Sequence, residues 1–395
     1  MALSTVAGIT SAIAAGQYYK TSWTKTFGAA AAIGYWYNTF LMAGQPPAGS
    51  YGSTMTATPM YGSSSIGPSL TNSGGNWTVT VATNVVTVDT ISDHGYISGN
   101  IIQTNTGASA WSTNTFMKNI VFTILSAPTT HTFTFSLTQG NQGTVTEAGT
   151  SSSTTLCYYT PTTGRISCAE NVFPLVKHLV NIEVVTATAS AAPAWLMLVD
   201  FLMNYSGVDL SNGGVQTFNN APGGTPVGLP RYTDGKGVMM FLDQTIAGTA
   251  SIPITQLTYT DEGGNSGTVP PAYLAGYTAI PASTPVQRIS HSGIAQNNFG
   301  PFLPLAAGDQ GVRSATNIQF GSTTTGTACM ILCKPLATIP LITSAAGNVA
   351  AVTRDYIFNM PSLPRIYDGA CLGFLYYAGG AATPVLYGTL DFVWG

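Results

Sequence analysis

A chain of 395 residues, 45% of them hydrophobic, is long enough for two to four compact units and apolar enough to give each a core. Asp, Glu, Lys and Arg make up only 7% of it, against roughly a quarter in ordinary soluble domains, and the net charge is -3. That balance offers no basic stripe to neutralise a run of phosphates, which argues against direct nucleic-acid binding, and no apolar run nears the ~20 residues of a membrane-spanning helix.

Residues 1–69 read as an opening arm. Thr5 to Ala15 suits one short helix, with Ser4 as its cap and Gly16 as its stop. The stretch lacks the basic start of a secretory signal and is expected to be retained. Beyond it the arm reads as extended, and its aromatics (Tyr18, Tyr19, Trp23, Tyr35, Trp36, Tyr37) have no regular period. They are expected either to fold back on the chain's own core or to lie against a neighbour.

Residues 70–160 switch to alternation and read as a small β module. Trp77, Val79 and Val81 interleave with Thr78 and Thr80, Val86 and Val88 with Thr87 and Asp89, and Phe133, Phe135 and Leu137 with Thr and Ser. Period two with Thr on the polar side predicts half-buried strands. Asp93-His94-Gly95, Ser98-Gly99-Asn100 and Gly140 to Gly143 supply the turns.

The second half carries an internal repeat. Leu229-Pro230-Arg231-Tyr232-Thr233-Asp234-Gly235 returns as Leu363-Pro364-Arg365-Ile366-Tyr367-Asp368-Gly369, and Ala194-Trp195-Leu196-Met197-Leu198 parallels Ala328-Cys329-Met330-Ile331-Leu332 at the same offset of 134. The repeat predicts two tandem β-sandwiches of jelly-roll-like size, 161–280 and 281–395. Arg231 with Asp234, and Arg365 with Asp368, are expected to clamp the turns ending in Gly235 and Gly369; the alternative is that each Arg reaches a carboxylate on a neighbouring subunit.

Few residues could carry chemistry. The four histidines (His94, His131, His178, His291) lack the company of a metal motif. His291 with Asp309 could tempt a nucleophile reading, but no strand-turn-helix elbow accompanies it, and a solvated turn histidine is expected. Asp261-Glu262, the only adjacent acidic pair, precedes Gly263-Gly264 and reads as a solvated turn rather than a glycosidase pair. Five cysteines (Cys157, Cys168, Cys329, Cys333, Cys371) make no disulfide framework and are expected to be buried thiols. No catalytic residue, metal or cofactor is therefore expected.

The run from Asn84 through His94-Gly95 to Thr132-Phe133-Thr134-Phe135 resembles a small β module of tailed-phage structural proteins. The second half, from Gly300-Pro301-Phe302-Leu303-Pro304-Leu305 through Leu363-Pro364-Arg365 to Leu390-Asp391-Phe392-Val393-Trp394-Gly395, resembles virion proteins encoded beside phage head genes. The resemblance implies an all-β, non-enzymatic virion protein on the head exterior. Its expected role is to decorate or cement the shell, with itself (as a homo-oligomer, for example a trimer) and the major capsid protein as partners. Two alternatives stand beside it: a tail tube, baseplate or fibre component, and a glycan-binding surface module. In the second, Trp195 and Tyr232 are the aromatics in question, and core packing is the expected place for both.

Overall fold

The computed structural model describes residues 3–395 except 4, 63–69, 73–75, 91, 99, 105–110, 112, 118–119, 149–154, 159–161, 170–171, 173–174, 189–193, 225, 251, 275–276, 279–287, 290, 293–299, 342–351 and 358–362. The chain is all-β and forms two compact units. One comprises residues 1–62, 162–168 and 177–395; the other comprises 63–161 with 169–176 and is inserted into the first.

The opening helix α1 (Val6–Ala14) is capped by Thr5, whose hydroxyl accepts from Gly8 N at 3.0 Å, and it stops at Gly16 with φ +77°. Ser4, the expected cap, lies outside the described residues. The arm is not a loose extension. Strand β1 (Tyr18–Thr26) pairs along all its length with the last strand of the chain, and β2 (Trp36–Asn38) edges the central sheet. Trp23, Phe27, Trp36 and Tyr37 are buried and Tyr19 and Tyr35 pack partly against the same core, so these aromatics fold back on the chain's own core, whereas Tyr18 stays exposed. Burying rings of that size removes more apolar area than any other change open to this segment.

The inserted unit is an eight-stranded antiparallel sheet built from β3 (Leu70–Thr71), β4 (Asn76–Ala82), β5 (Val85–Asp89), β6 (Ile101–Thr104), β7 (Val121–Ser126), β8 (Thr132–Ser136), β9 (Gln142–Ala148) and β10 (Thr155–Tyr158), in the order β9-β4-β5-β8-β7-β6-β10-β3. The alternating residues meet as their period requires: Val79 faces Val88, Val81 faces Val86, and Val86 and Val88 face Phe135 and Phe133. The β4–β5 hairpin turns on Thr83 and Asn84, with φ +54° and +61°, a pair of left-handed residues that matches the strand twist. Thr is poorly suited to that conformation and Asn well suited. Thr83→Asn is therefore expected to stabilise the unit by about 0.5–1 kcal/mol, read as a higher urea midpoint at unchanged slope.

The larger unit uses β11 (Lys177–Thr186), β12 (Ala194–Asp209), β13 (Met239–Ile246), β14 (Ile254–Asp261), β15 (Val312–Phe320), β16 (Thr327–Leu341), β17 (Leu372–Ala378) and β18 (Val385–Trp394). A central sheet runs β13-β16-β12-β17-β2. One outer sheet contains β11, β18 and β1 in that order, and the other contains β15 beside β14. Leu196, Leu198, Phe374 and Tyr376 of the central sheet pack on Leu179, Leu390 and Phe392 of the first outer sheet. Met240, Leu242, Met330 and Leu332 pack on Leu257, Tyr259, Ile318 and Phe320 of the second. Phe241, Ile331 and Leu375, which alternate with these residues, face the opposite side, where Trp36, Phe40 and Met60 of the arm cover them.

The layers are sandwiches, but the boundary expected near residue 280 does not separate them. Each sandwich draws strands from both sides of it: β11 pairs β18, β14 pairs β15, β12 pairs β16 and β17, and β13 pairs β16. The repeat is visible in the register. Ala194 opposite Ala378, Leu198 opposite Phe374 and Val199 opposite Gly373 become, on exchange of the two stretches by 134 residues, Ala328 opposite Gln244, Leu332 opposite Met240 and Cys333 opposite Met239. At the centre of this exchange Asp200 stands opposite Lys334, its own counterpart. Alternation decides which face a residue presents and says nothing about which strand lies beside it, so the sequence pattern is equally compatible with separate and interlocked sandwiches.

Candidate functional site

The repeat turns converge on the middle of the larger unit. Arg231 is 5% exposed; its Nε donates to Asp200 Oδ2 at 2.8 Å and its Nη2 to Asp200 Oδ1 at 2.7 Å. The same guanidinium reaches the carbonyls of Met60 and Phe201, and Asp200 Oδ1 also accepts from Cys371 N. The expected partner Asp234 is instead exposed and accepts from Lys236 N within its turn. A buried guanidinium needs a carboxylate at its own depth, and three residues along a turn the chain is already in solvent.

The second turn differs. Arg365 stays exposed, its guanidinium 4.2 Å from the centre of the Tyr367 ring, while Asp368 pairs with Lys177 at 3.1 Å. Neither Arg is clamped to the Asp of its own turn as expected. The turn glycines do match, Gly235 with φ +75° and Gly369 with φ +74°. The two turns touch through the Tyr232 and Tyr367 rings, edge to face at 4.8 Å, and Lys334 lies 5.5 Å over Tyr232 while donating to Lys236 O.

Asp200 and Lys177 were not singled out from sequence, yet a signal for Asp200 exists. It is the one charge in the apolar run Leu196 to Met203, and a lone acid in a buried strand requires a buried partner. Asp243 repeats the pattern at the end of Met239-Met240-Phe241-Leu242. It is fully buried, its Oδ2 accepting from Tyr51 Oη and Asn38 Nδ2 of the arm, both at 2.8 Å, while Oδ1 has no partner. Burial pushes its carboxyl up to about 7 against the pull of those two hydrogen bonds. Beside it runs a cleft of about 340 Å³ lined by Leu41, Tyr51, Gly52 and Ser53 on the arm and by Ser206, Gly207, Thr245 and Thr327 on the sheet. The hydroxyls of Thr245 and Thr327 are bonded to each other and that of Ser206 to Asn204 and Cys329, so none is set up as a nucleophile beside a base.

The remaining residues weighed for chemistry lie apart from this centre. His94 packs in the inserted unit, stacked on Tyr96, with Nδ1 accepting from Tyr96 N; burial lowers its pKa. His131 pairs with Asp93 on the surface at 2.9 Å, and His178 lies 3.3 Å from Leu363 O. His291 has a described backbone only, and Asp309 accepts from Tyr259 Oη at 2.5 Å. Asp261 bonds Asn265 across the β14 turn and Glu262 accepts from Gln310 N. Among the described residues no three His, Cys, Asp or Glu side chains gather as metal ligands.

Cys168, Cys329, Cys333 and Cys371 are buried free thiols, and burial raises the pKa of each; the side chain of Cys157 lies outside the described residues. Trp195, expected in the core, is 47% exposed on the central sheet between Pro340 and Tyr377, because it points away from the Leu196 and Leu198 side of its strand. Tyr232 is half-buried against Tyr367, as its expected packing role requires. No family model, no curated protein and no solved structure matches the chain.

Proposed function

We propose that the chain is a non-enzymatic structural subunit of a tailed-phage virion, a decoration or cement protein of the head that works by packing against copies of itself and the shell. The observation that supports this reading most is where the charge sits. Of only twelve basic and fifteen acidic residues, Lys25, Glu147, Lys177, Asp200, Arg231, Asp243, Arg288 and Asp391 are buried. A sparse supply of charge is thus drawn further inward, leaving a surface rich in hydroxyls and amides on which few ions must be desolvated on contact. The resemblance of residues 84–135 and 300–395 to phage structural proteins supplies the setting.

The test is to mix the purified protein with undecorated phage heads and image the product. Ordered density at regular lattice positions is the expected result. Binding to tail assemblies, or self-assembly into tubes with the heads left bare, would move the protein to the tail; no association with any virion part would remove the structural reading.

A further inference from the structure

We propose that Asp243 is a pH-sensitive latch: its un-ionised carboxyl holds residues 38–53 of the arm on the central sheet, and ionisation releases that segment and opens the cleft behind it.

The geometry concentrates the hold at one carboxyl. Asn38 and Tyr51 bracket the segment, and both donate to the same Oδ2, with Tyr51 Oη also 2.6 Å from Asn38 Nδ2. Between these anchors, Phe40 stacks on Tyr51 at 5.3 Å and packs at a tilt against Phe201 of the sheet at 5.4 Å, and Gly49 N donates to Phe40 O. Leu41, Tyr51, Gly52 and Ser53 form one wall of the cleft, so lifting the segment removes that wall.

The two neutral donors on Oδ2 favour an anion, but burial outweighs them and no counter-charge stands beside the carboxyl. Cys329 faces it from β16, Asn38 and Tyr51 from the arm, and Ile289 bridges it on the open edge of β13. The guanidinium next to Ile289, that of Arg288, lies 3.8 Å from the centre of the Tyr35 ring instead. Among the described residues no cation pairs with Asp243. A buried carboxylate without a counter-charge is destabilised by desolvation, so the docked segment favours the protonated form.

The direction follows from linkage. The docked carboxyl titrates near 7 and a solvated Asp near 4. Docking is therefore fully favoured below the solvated value and weakens as pH rises from there through about 7. Burial raises the pKa of Tyr51 and of the Cys329 and Cys371 thiols beside it, away from this range. Lys25 lies under the segment too; its ammonium donates to the carbonyls of Met42, Pro46 and Pro47, and burial lowers its pKa to about 8. Its deprotonation would favour docking only at higher pH, so the window from 5.5 to 7.5 isolates Asp243.

Hydrogen exchange of the full chain, corrected for the intrinsic pH dependence of exchange, tests the latch. Protection of peptides within 38–53 is expected to fall roughly 20-fold between pH 5.5 and 7.5, with peptides of β12 and β16 unchanged. In Asp243→Asn, which cannot ionise, the pH response is expected to disappear. The idea is overturned if the response persists in that variant or is missing from the wild type. Should the variant fail to fold, carboxyl carbon NMR on the wild-type chain decides alone: a midpoint for Asp243 below pH 5 sinks the latch, and one near 7 sustains it.

Discussion

Arg231→Ala is expected to destabilise the larger unit by about 3–5 kcal/mol, while Arg365→Ala, at the repeat-related position, costs less than about 1 kcal/mol. The asymmetry comes from depth. Removing Arg231 leaves Asp200 fully buried with only Cys371 N as a described donor, and frees the carbonyls of Met60 and Phe201 that the guanidinium had satisfied. Removing Arg365 exposes the face of Tyr367 and strands no buried charge. Urea denaturation of both variants, with hydrogen exchange of β12 to locate the loss, measures the difference. Equal effects would mean that the turns, and not the ion pair, carry the stability. Asp200→Asn serves as a cross-check, since it keeps the shape and removes the charge, and it should fall close to Arg231→Ala.

Glu147→Ala is the second large effect, and it belongs to the inserted unit alone. Glu147 is fully buried, and its carboxylate accepts from Thr113 N, Asn114 N and Asn114 Nδ2, tying the end of β9 to the loop before β7. Truncation leaves the two Asn114 donors buried without this acceptor, at a cost on the order of 3 kcal/mol. Exchange protection should collapse across β4, β5 and β8 while β12 and β16 keep theirs. A loss shared equally by both sets of strands would show that the two units unfold as one.

Three of the eight strands of the inserted unit, β4, β5 and β8, were legible because each alternates cleanly, whereas Gln142 and Gly143, expected in a turn, open strand β9. Val79 and Val81, Val86 and Val88, and Phe133 and Phe135 fell on one side and found each other. The repeat turns were legible too, as two glycines that share a left-handed conformation. Partner choice was not. Arg231 and Asp234 are close in sequence, and proximity suggested a local clamp, but the buried acid Asp200 lies 31 residues away along the chain and directly beneath the turn. Strand β1 escaped notice because Tyr18-Tyr19-Lys20-Thr21-Ser22-Trp23-Thr24-Lys25-Thr26 carries two lysines, one of them buried and bonded to three carbonyls. A long aliphatic stem with a paired tip can serve as core, and hydrophobicity scales cannot register that.

The latch and the ion pair occupy the same sheet and follow opposite rules. Asp200 has a guanidinium at its side, whereas Asp243 has only neutral donors and titrates near neutrality. One acid in an apolar strand holds the structure together, and the other makes part of it responsive.

The interlocked pairing also sets a timetable for synthesis. Strand β11 finds its partner β18 only after roughly 200 further residues have been made, which at about 5–20 residues per second is on the order of 10–40 s of translation. During that interval β11 and β1 both wait for the strand that will lie between them, with their hydrogen-bonding edges open. The two lobes therefore close in turn. Every buried residue of the lobe built on β14 and β15 lies before residue 333, whereas the lobe built on β11 and β1 waits for β18, so yield in the cell should depend on chaperone holding of those two open edges during elongation.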